Sequence, residues 1–281
     1  MLSRVSTPTA PARPWWRLPD TPVPGGVPEL AKALLWAELA LVLLISLGRS
    51  AVYSVVNLIA ALTAPGPLSA QGANLNNSLA PDRPWLDLTY QLLRIAFGLV
   101  PAALAAYLLV RSGTRVREVW AREGGWASFG DLGRGALLAL AVGSVGVVFY
   151  LATYALGTNL TVVAQSLPGE WWQVPVLVLA AVEAAVVEEY IVLGFVIVRL
   201  RQIGFGDTAA IGLAALLRGS YHLYQGLGGF VGNFAMGLLF GYLFRRWGRV
   251  MPFVVAHTLL DIGAFVGYAA LAGRVDWLPT L

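Results

Sequence analysis

Long apolar runs separated by short polar connections dominate the sequence. Seven of these runs are long enough to cross a bilayer, for which a helix needs about 20 residues. They cover residues 28–63, 86–110, 135–157, 172–200, 207–225, 229–246 and 250–272. The pattern therefore predicts an all-α protein, a polytopic bundle of seven transmembrane helices. An eighth span would result if the first run divides around Gly48–Arg49.

One membrane domain is predicted to occupy most of the chain. Residues 1–27 are rich in proline and lack the apolar core of a signal peptide, which favours a disordered N-terminal tail. The helical domain then extends over 28–273, and 274–281 form a C-terminal tail. Glycines four residues apart would allow close helix packing in three places, Gly228/Gly232, Gly237/Gly241 and Gly263/Gly267.

Composition and charge agree with a membrane protein surrounded by lipid. Hydrophobic residues make up 58% of the chain and charged residues 12%, whereas soluble domains carry about 25% charge. The net charge of +4 does not indicate a nucleic-acid partner, because the positive charge is mostly arginine at the ends of apolar runs. The chain has no cysteine, which excludes disulfides and thiolate metal sites.

The distribution of arginine predicts the topology. Arginine-bearing connections (111–134, 199–201 and 245–249) alternate with arginine-poor ones (64–85, 158–171 and 225–229). Because positively charged connections stay in the cytoplasm, the rule places the N-terminus of seven spans inside. We therefore predict a multi-pass protein of the cell membrane with a cytoplasmic N-terminus.

Ionisable residues inside the apolar runs are concentrated between positions 183 and 261. Each such residue costs about 2.5–3.5 kcal/mol on insertion scales, so it normally pairs with another group or takes part in chemistry. The cluster contains both histidines of the chain and consists of Glu183, Glu188, Glu189, Arg218, His222, His257 and Asp261. We interpret Glu183 as structural, and Arg94 as either a partner of a buried acid or a cavity residue.

Helix geometry suggests how these groups could act together. Glu188 and Glu189 point about 100° apart on a helix, so one can face a cavity while the other flanks it. His257 and Asp261 lie one turn apart on the same helix face. A glutamate base, a histidine that orients water and a His/Asp pair that stabilises an oxyanion would suit hydrolysis. Equally, Glu188, His222 and His257 could hold one zinc ion with an open position.

Three motifs carry a resemblance to a known family. VEEYIVLG (187–194), LLRGSYHLYQG (216–226) and VVAHTLLD (254–261) resemble the CAAX protease and bacteriocin-processing (CPBP) intramembrane proteases, which include type II CAAX prenyl endopeptidases. The likeness covers about 172–265. It implies that Glu188 is the catalytic base, Glu189 its helper and His222 the partner that activates water. His257 and Asp261 would form the oxyanion site.

Two positions depart from the family pattern Glu-Glu-x-x-x-Arg and Phe-x-x-x-His. Leu193 replaces the arginine, and Arg218 replaces the phenylalanine. We hypothesise that Arg218 pairs with Glu189 as the missing arginine would. Tyr221 is a further supporting candidate. At about 1.5 Å per residue, His222 and His257 would lie at different depths unless the fifth helix is tilted, begins outside the bilayer or breaks near Gly219.

The resemblance implies an intramembrane endopeptidase. Its substrate would be a membrane-associated or lipid-modified peptide, cleaved near the cytoplasmic face. Two alternatives use the same residues, namely an inactive scaffold or immunity factor and a proton-coupled transporter. Transporters often contain repeated halves, and the absence of an internal repeat favours the protease.

Overall fold

The computed structural model describes residues 29–120 and 128–280, so the predicted tail at 1–27 lies outside it. The described residues form eleven α-helices and two short strands. In chain order these are α1 (Glu29–Leu44), α2 (Leu47–Thr63), β1 (Gly72–Asn77), α3 (Pro84–Gly98), α4 (Val100–Arg111), α5 (Val116–Trp120), α6 (Phe129–Ala155), β2 (Thr161–Ser166), α7 (Gln173–Ile191), α8 (Val198–Ile203), α9 (Asp207–Ser220), α10 (Leu227–Trp247) and α11 (Met251–Leu271). A π-helical stretch, Val192–Ile197, joins α7 to α8.

The predicted helical membrane protein is confirmed, whereas the number of spans is not. Among the described residues, four helical segments are long and apolar enough to cross a membrane: 84–111 (α3 with α4), α6, α10 and α11. The α1–α2 pair makes a fifth if its 54° bend lies within one span. At 14 residues α9 is only about 21 Å long, and α7 carries three glutamates. Seven spans therefore stay a prediction, and the break in the first run falls at Ile45–Ser46 rather than at Gly48–Arg49.

Two connections that were predicted as loops are partly strands. β1 and β2 pair in parallel, with Gly72 opposite Thr161 and Asn76 opposite Gln165. The side chain of Asn76 adds a hydrogen bond to the carbonyl of Ala164 at 3.0 Å. Parallel pairing joins segments that are far apart in sequence, and the short polar strands have no clear alternation of apolar residues, so sequence periodicity did not reveal them.

The arginine-bearing connections meet at one end of the bundle, which we call the arginine-rich end. There Arg111 and Arg199 both contact Glu38, at 2.9 and 2.7 Å. At the same end of the helices, Asp207 accepts from Arg245 at 2.8 Å. The other end carries the β1–β2 sheet and the turn between α9 and α10, and we call it the sheet end. Helix α1, and with it the start of the described chain, begins at the arginine-rich end.

Close packing of α9 on α10 depends on glycine. A Cβ atom added to Gly237 would lie 2.9 Å from Cα of Ala215, and one on Gly241 would lie 2.9 Å from Ile211. By contrast, a Cβ on Gly263 or Gly267 would meet nothing within 4 Å among the described atoms. The small residues thus let α9, which carries Arg218, approach α10 closely.

Candidate active site

The two adjacent glutamates of α7 face different surroundings, as their angular separation predicts. Glu189 is fully buried, and its carboxylate contacts only protein. Glu188 keeps 16% of its side chain exposed and lines a cavity of about 210 Å³. The hydroxyl of Tyr221 donates to Oε2 of Glu188 at 2.7 Å, and Oε1 forms no hydrogen bond with the described residues. Glu188 therefore has one oxygen fixed and one available to a ligand in the cavity.

Arg218 pairs with Glu189. This pairing was predicted because Leu193 replaces the arginine of the family pattern and Arg218 could supply the missing charge. NH1 of Arg218 lies 2.7 Å from Oε1 of Glu189, an ion pair whose atoms are not aligned for a hydrogen bond. NH2 lies 3.6 Å from Oε2 of Glu188, so the same cation is shared by both glutamates. Both Arg218 and Glu189 are fully buried, so the charge of each would be left uncompensated without the other. Leu193 is buried in the apolar core and supplies no charge.

His222 reaches the site because α9 ends early. The helix stops at Ser220, and the next two residues form a turn before the 3₁₀ turn Leu223–Gln225. Of the three solutions to the depth problem, this is the break near Gly219. Nδ1 of His222 lies 3.0 Å from the carbonyl oxygen of Arg218. Because a carbonyl only accepts, Nδ1 must carry the proton, and in the neutral ring Nε2 keeps its lone pair.

Glu189 rather than Asp261 makes the short contact to the second histidine. Nδ1 of His257 lies 2.8 Å from Oε1 of Glu189 and 3.1 Å from NH2 of Arg218. A guanidinium and a carboxylate cannot both bond the same nitrogen in one tautomer, and the shorter contact to the carboxylate assigns a proton to Nδ1. Nε2 then points toward Asp261, whose Oδ2 is 3.5 Å away.

The cavity is lined by residues from five separate parts of the chain. Its polar lining consists of Asn76, Arg94, Glu183, Glu188, His222, Tyr224, Gln225, His257 and Asp261. Four of the five predicted catalytic residues therefore line one cavity, and the fifth, Glu189, lies directly behind it. The supporting residues Arg218 and Tyr221 hold Glu188 from outside the cavity.

Three cavity residues extend the predicted set. Glu183, interpreted from sequence as structural, lines the cavity, and Arg94 lines it while donating to Oδ1 of Asn76 at 2.9 Å. Gly98 on α3 gives Glu183 its space, since a Cβ there would lie 2.1 Å from Oε1 of Glu183. An intramembrane charge was the available signal for Glu183 and Arg94. Asn76 gave none, because it lies in a polar connection that resembles an ordinary loop.

The sequence also predicts a zinc site on these residues. Among residues 29–120 and 128–280, no three His, Asp or Glu side chains are arranged to hold a metal ion. Nδ1 of both histidines faces a protein acceptor, an arrangement that also orients histidines in metal sites and leaves Nε2 for a ligand. Zinc on Glu188, His222 and His257 therefore stays a prediction, and the proposed steps below use protein groups.

Comparison with known families gives a match to the segment that contains the three motifs. Residues 170–263 match the family described as type II CAAX prenyl endopeptidase Rce1-like. Over this segment the chain is similar to CAAX proteases. This match confirms the resemblance drawn from the three motifs, and the family consists of proteases that act on membrane-associated, prenylated peptides. Neither a curated protein nor a solved structure matches the chain.

The CAAX protease-like segment does not complete the cavity by itself. Leu75 and Asn76 come from β1, and Arg94 comes from α3, all of which precede the matched residues. The sheet and the 3₁₀ turn that border the cavity lie at the sheet end of the bundle. His257, by contrast, is six residues from the start of α11, which follows Arg249 at the arginine-rich end, so the candidate active site lies between the two ends.

Proposed function

We propose that this protein is an intramembrane endopeptidase that hydrolyses a peptide bond in a membrane-associated or lipid-modified substrate. The observation that carries the proposal is the meeting of Glu188, from α7, and His222, from the turn after α9, on one small cavity. Each has one atom fixed by protein and a second that can bind water. The match to a protease family supports the same reaction class and does not favour a scaffold or a transporter.

In the first step, water binds between Oε1 of Glu188 and Nε2 of His222. Glu188 removes one proton while the water oxygen attacks the carbonyl carbon of the substrate, giving a tetrahedral intermediate. Tyr221 holds Oε2 of Glu188 so that Oε1 keeps its direction during the transfer. His222 is held in the matching tautomer by the carbonyl of Arg218.

The intermediate carries a negative oxygen that the site must stabilise. His257 is placed for this when both ring nitrogens are protonated, because Glu189 holds Nδ1–H and leaves Nε2–H as a donor on the cavity side. Asp261 lies beside that donor. Glu188 then returns its proton to the leaving amine, so the products are one carboxylic acid and one amine and the base is regenerated.

The position of the cavity bears on the side of the membrane where cleavage occurs. The N-terminal helix begins at the arginine-rich end, and the cavity borders the sheet end. The cavity also contains His257 and Asp261, which lie in the half of α11 that begins at the arginine-rich end. A cytoplasmic N-terminus and cleavage near the cytoplasmic face therefore both stay predictions.

Cleavage by detergent-purified protein tests the proposal. The probe is a library of synthetic membrane peptides, half of them carrying a farnesyl group, with products identified by mass spectrometry. We expect the wild type to cleave a subset, and Glu188→Gln and His222→Ala each to lower kcat/KM by about 100-fold or more. Glu170→Gln is the matched control, since it removes a carboxylate that does not line the cavity.

Two results would count against the proposal. One is an unchanged rate in Glu188→Gln, which would show that the cleavage arises elsewhere or from a contaminant. The other is no cleavage of any peptide by folded wild type across both halves of the library. Melting temperature and helical content are measured for every variant, so that a loss of activity through unfolding is recognised.

A further inference from the structure

Helix α2 carries one buried hydroxyl that does not bond to its own helix. Serine and threonine side chains in helices often donate to the backbone carbonyl four residues earlier. In this chain the pattern is followed by Ser50, Thr63, Thr89, Ser144, Thr153 and Ser220. The hydroxyl of Ser54 instead donates to the carbonyl of Tyr221, 167 residues later, at 2.9 Å. Both residues are buried, so this bond joins α2 to the turn after α9 inside the protein.

The carbonyl of Tyr221 needs a donor because α9 ends just before it. If the helix continued, the amide of Gln225 would bond this carbonyl, and the amide of His222 would bond the carbonyl of Arg218. These two amides bond the carbonyls of His222 and Gly219 instead, each at 3.0 Å. Within the described chain no backbone amide donates to the carbonyl of Tyr221. Buried carbonyls are nearly always paired, and here a side chain supplies the donor.

Two side chains thus replace the two amides that a continued helix would supply. Nδ1 of His222 bonds the carbonyl of Arg218 at 3.0 Å, and Ser54 bonds that of Tyr221. The far side of the turn is held separately, because the amide of Leu160 donates to the carbonyl of Gln225 at 3.0 Å. Ser54 therefore holds the side of the turn at which α9 breaks.

The backbone that Ser54 holds carries two groups of the candidate active site. The hydroxyl of Tyr221 donates to Oε2 of Glu188 at 2.7 Å, and the next residue, His222, lines the cavity. Ser54 is therefore connected to the proposed base through a single residue. It also lies far outside the matched residues 170–263, so the CAAX protease-like segment does not contain this donor.

We propose that Ser54 is a positioning residue of the active site, whose hydroxyl keeps α9 broken so that Tyr221 and His222 reach Glu188. The hydroxyl competes with the amide of Gln225 for one carbonyl. Without it, continuation of α9 regains backbone hydrogen bonds and takes the acceptor of Nδ1 from His222. The effect on catalysis rests on the proposed peptidase function, whereas the effect on the histidine ring does not.

Four variants separate the hydrogen bond from packing. Ser54→Ala removes the hydroxyl, and Ser50→Ala is the matched control, since it removes an exposed hydroxyl of α2 that bonds one turn back in the same helix. Threonine and valine have nearly the same shape and differ in the hydroxyl. Ser54→Thr is therefore compared with Ser54→Val. Melting temperature and helical content are measured for every variant, and kinetics use a peptide that the wild type cleaves.

The histidine rings give a readout that does not need catalysis. The chain has only two histidines, so isotope labelling of histidine nitrogen gives magnetic-resonance signals from two rings, and the His222→Ala spectrum identifies those of His222. Protonated and unprotonated ring nitrogens have different chemical shifts. At a pH where the ring is neutral, we expect His222 in wild type to show one tautomer, with the proton on Nδ1.

We expect Ser54→Ala to mix the two tautomers of His222 and to lower kcat about tenfold, the effect of one hydrogen bond, with KM changed by less than about twofold. Ser50→Ala should match wild type in both measurements, and Ser54→Thr should have a higher kcat than Ser54→Val. A single wild-type tautomer in Ser54→Ala overturns the proposal, and so does an equal kcat in the Thr and Val variants.

The outcome distinguishes this inference from the peptidase function. If wild type cleaves peptides and Ser54→Ala keeps both its kcat and its His222 tautomer, the positioning role fails and the peptidase stands. If folded wild type cleaves nothing while Ser54→Ala mixes the tautomers of His222, the peptidase fails and Ser54 still holds the break in α9.

Discussion

Removing the charge of Arg218 is the sharpest test of how this site is held together. Its guanidinium lies 2.7 Å from Glu189, 3.6 Å from Glu188 and 3.1 Å from His257, and its side chain is fully buried. In Arg218→Leu the carboxylate of Glu189 would be left buried without its cation. We therefore expect that variant to be both less stable and less active.

The magnitude follows from the burial of both partners. Removing one member of a buried ion pair costs about 3–5 kcal/mol, whereas an exposed pair contributes about 0–1 kcal/mol. Glu189 also holds Nδ1 of His257, so its displacement would change the direction of the second histidine. We expect the free energy of unfolding to fall by about 3–5 kcal/mol and kcat/KM to fall more than stability alone explains.

A double substitution tests whether an arginine at position 193 can take over the pairing of Arg218 with Glu189. Position 193 is one helical turn from Glu189, so Leu193→Arg combined with Arg218→Phe would place the cation where the family pattern has it. Unfolding in detergent is titrated with SDS for the single and double variants, and Arg117→Leu, an exposed arginine, is the control. Arg218→Leu with unchanged stability and activity would refute the reasoning. A double variant no more stable than Arg218→Phe would refute the transfer.

Three further predictions concern separate parts of the molecule. Asp261→Asn should keep kcat/KM within a few-fold of wild type, because the amide keeps an acceptor oxygen beside Nε2–H of His257; a loss as large as in Asp261→Leu would contradict this. Gly98→Ala should lower the free energy of unfolding by about 1–3 kcal/mol, since its Cβ would lie 2.1 Å from Oε1 of Glu183, and Glu183→Ala should restore it; a loss that remains in the double variant would point to another cause. In the cysteine-free chain, an impermeant maleimide added to intact cells should label Ala70→Cys at the sheet end and not Arg117→Cys at the arginine-rich end, and the reverse pattern would contradict the predicted orientation.

Much of the candidate site could be predicted because its residues stand out chemically. Charged groups in apolar helices are few, and helix geometry fixes how neighbours on one helix are directed. That reasoning separated the exposed Glu188 from the buried Glu189 and paired Arg218 with Glu189, and the contacts confirm both. It also offered a break near Gly219 as one way to bring His222 to the site, which is the arrangement found.

The remaining features depend on parts of the chain that are distant in sequence. Nothing in the polar connection 64–85 distinguishes the strand containing Asn76 from a loop, because its partner strand lies about 90 residues later. The places of Arg94 and Glu183 in the cavity lining likewise follow from the approach of α3 to α7 at Gly98. Local periodicity carries no information about such approaches.

The sequence by itself determined the helices, the membrane environment and the set of chemical groups, because apolar periodicity and the cost of burying charge are local properties. Only the tertiary structure decided which of the two adjacent glutamates meets the cavity, which partner holds His257 and which distant segments pair as strands. Those features are distances between groups on different helices and strands, and such distances are set by how the elements pack.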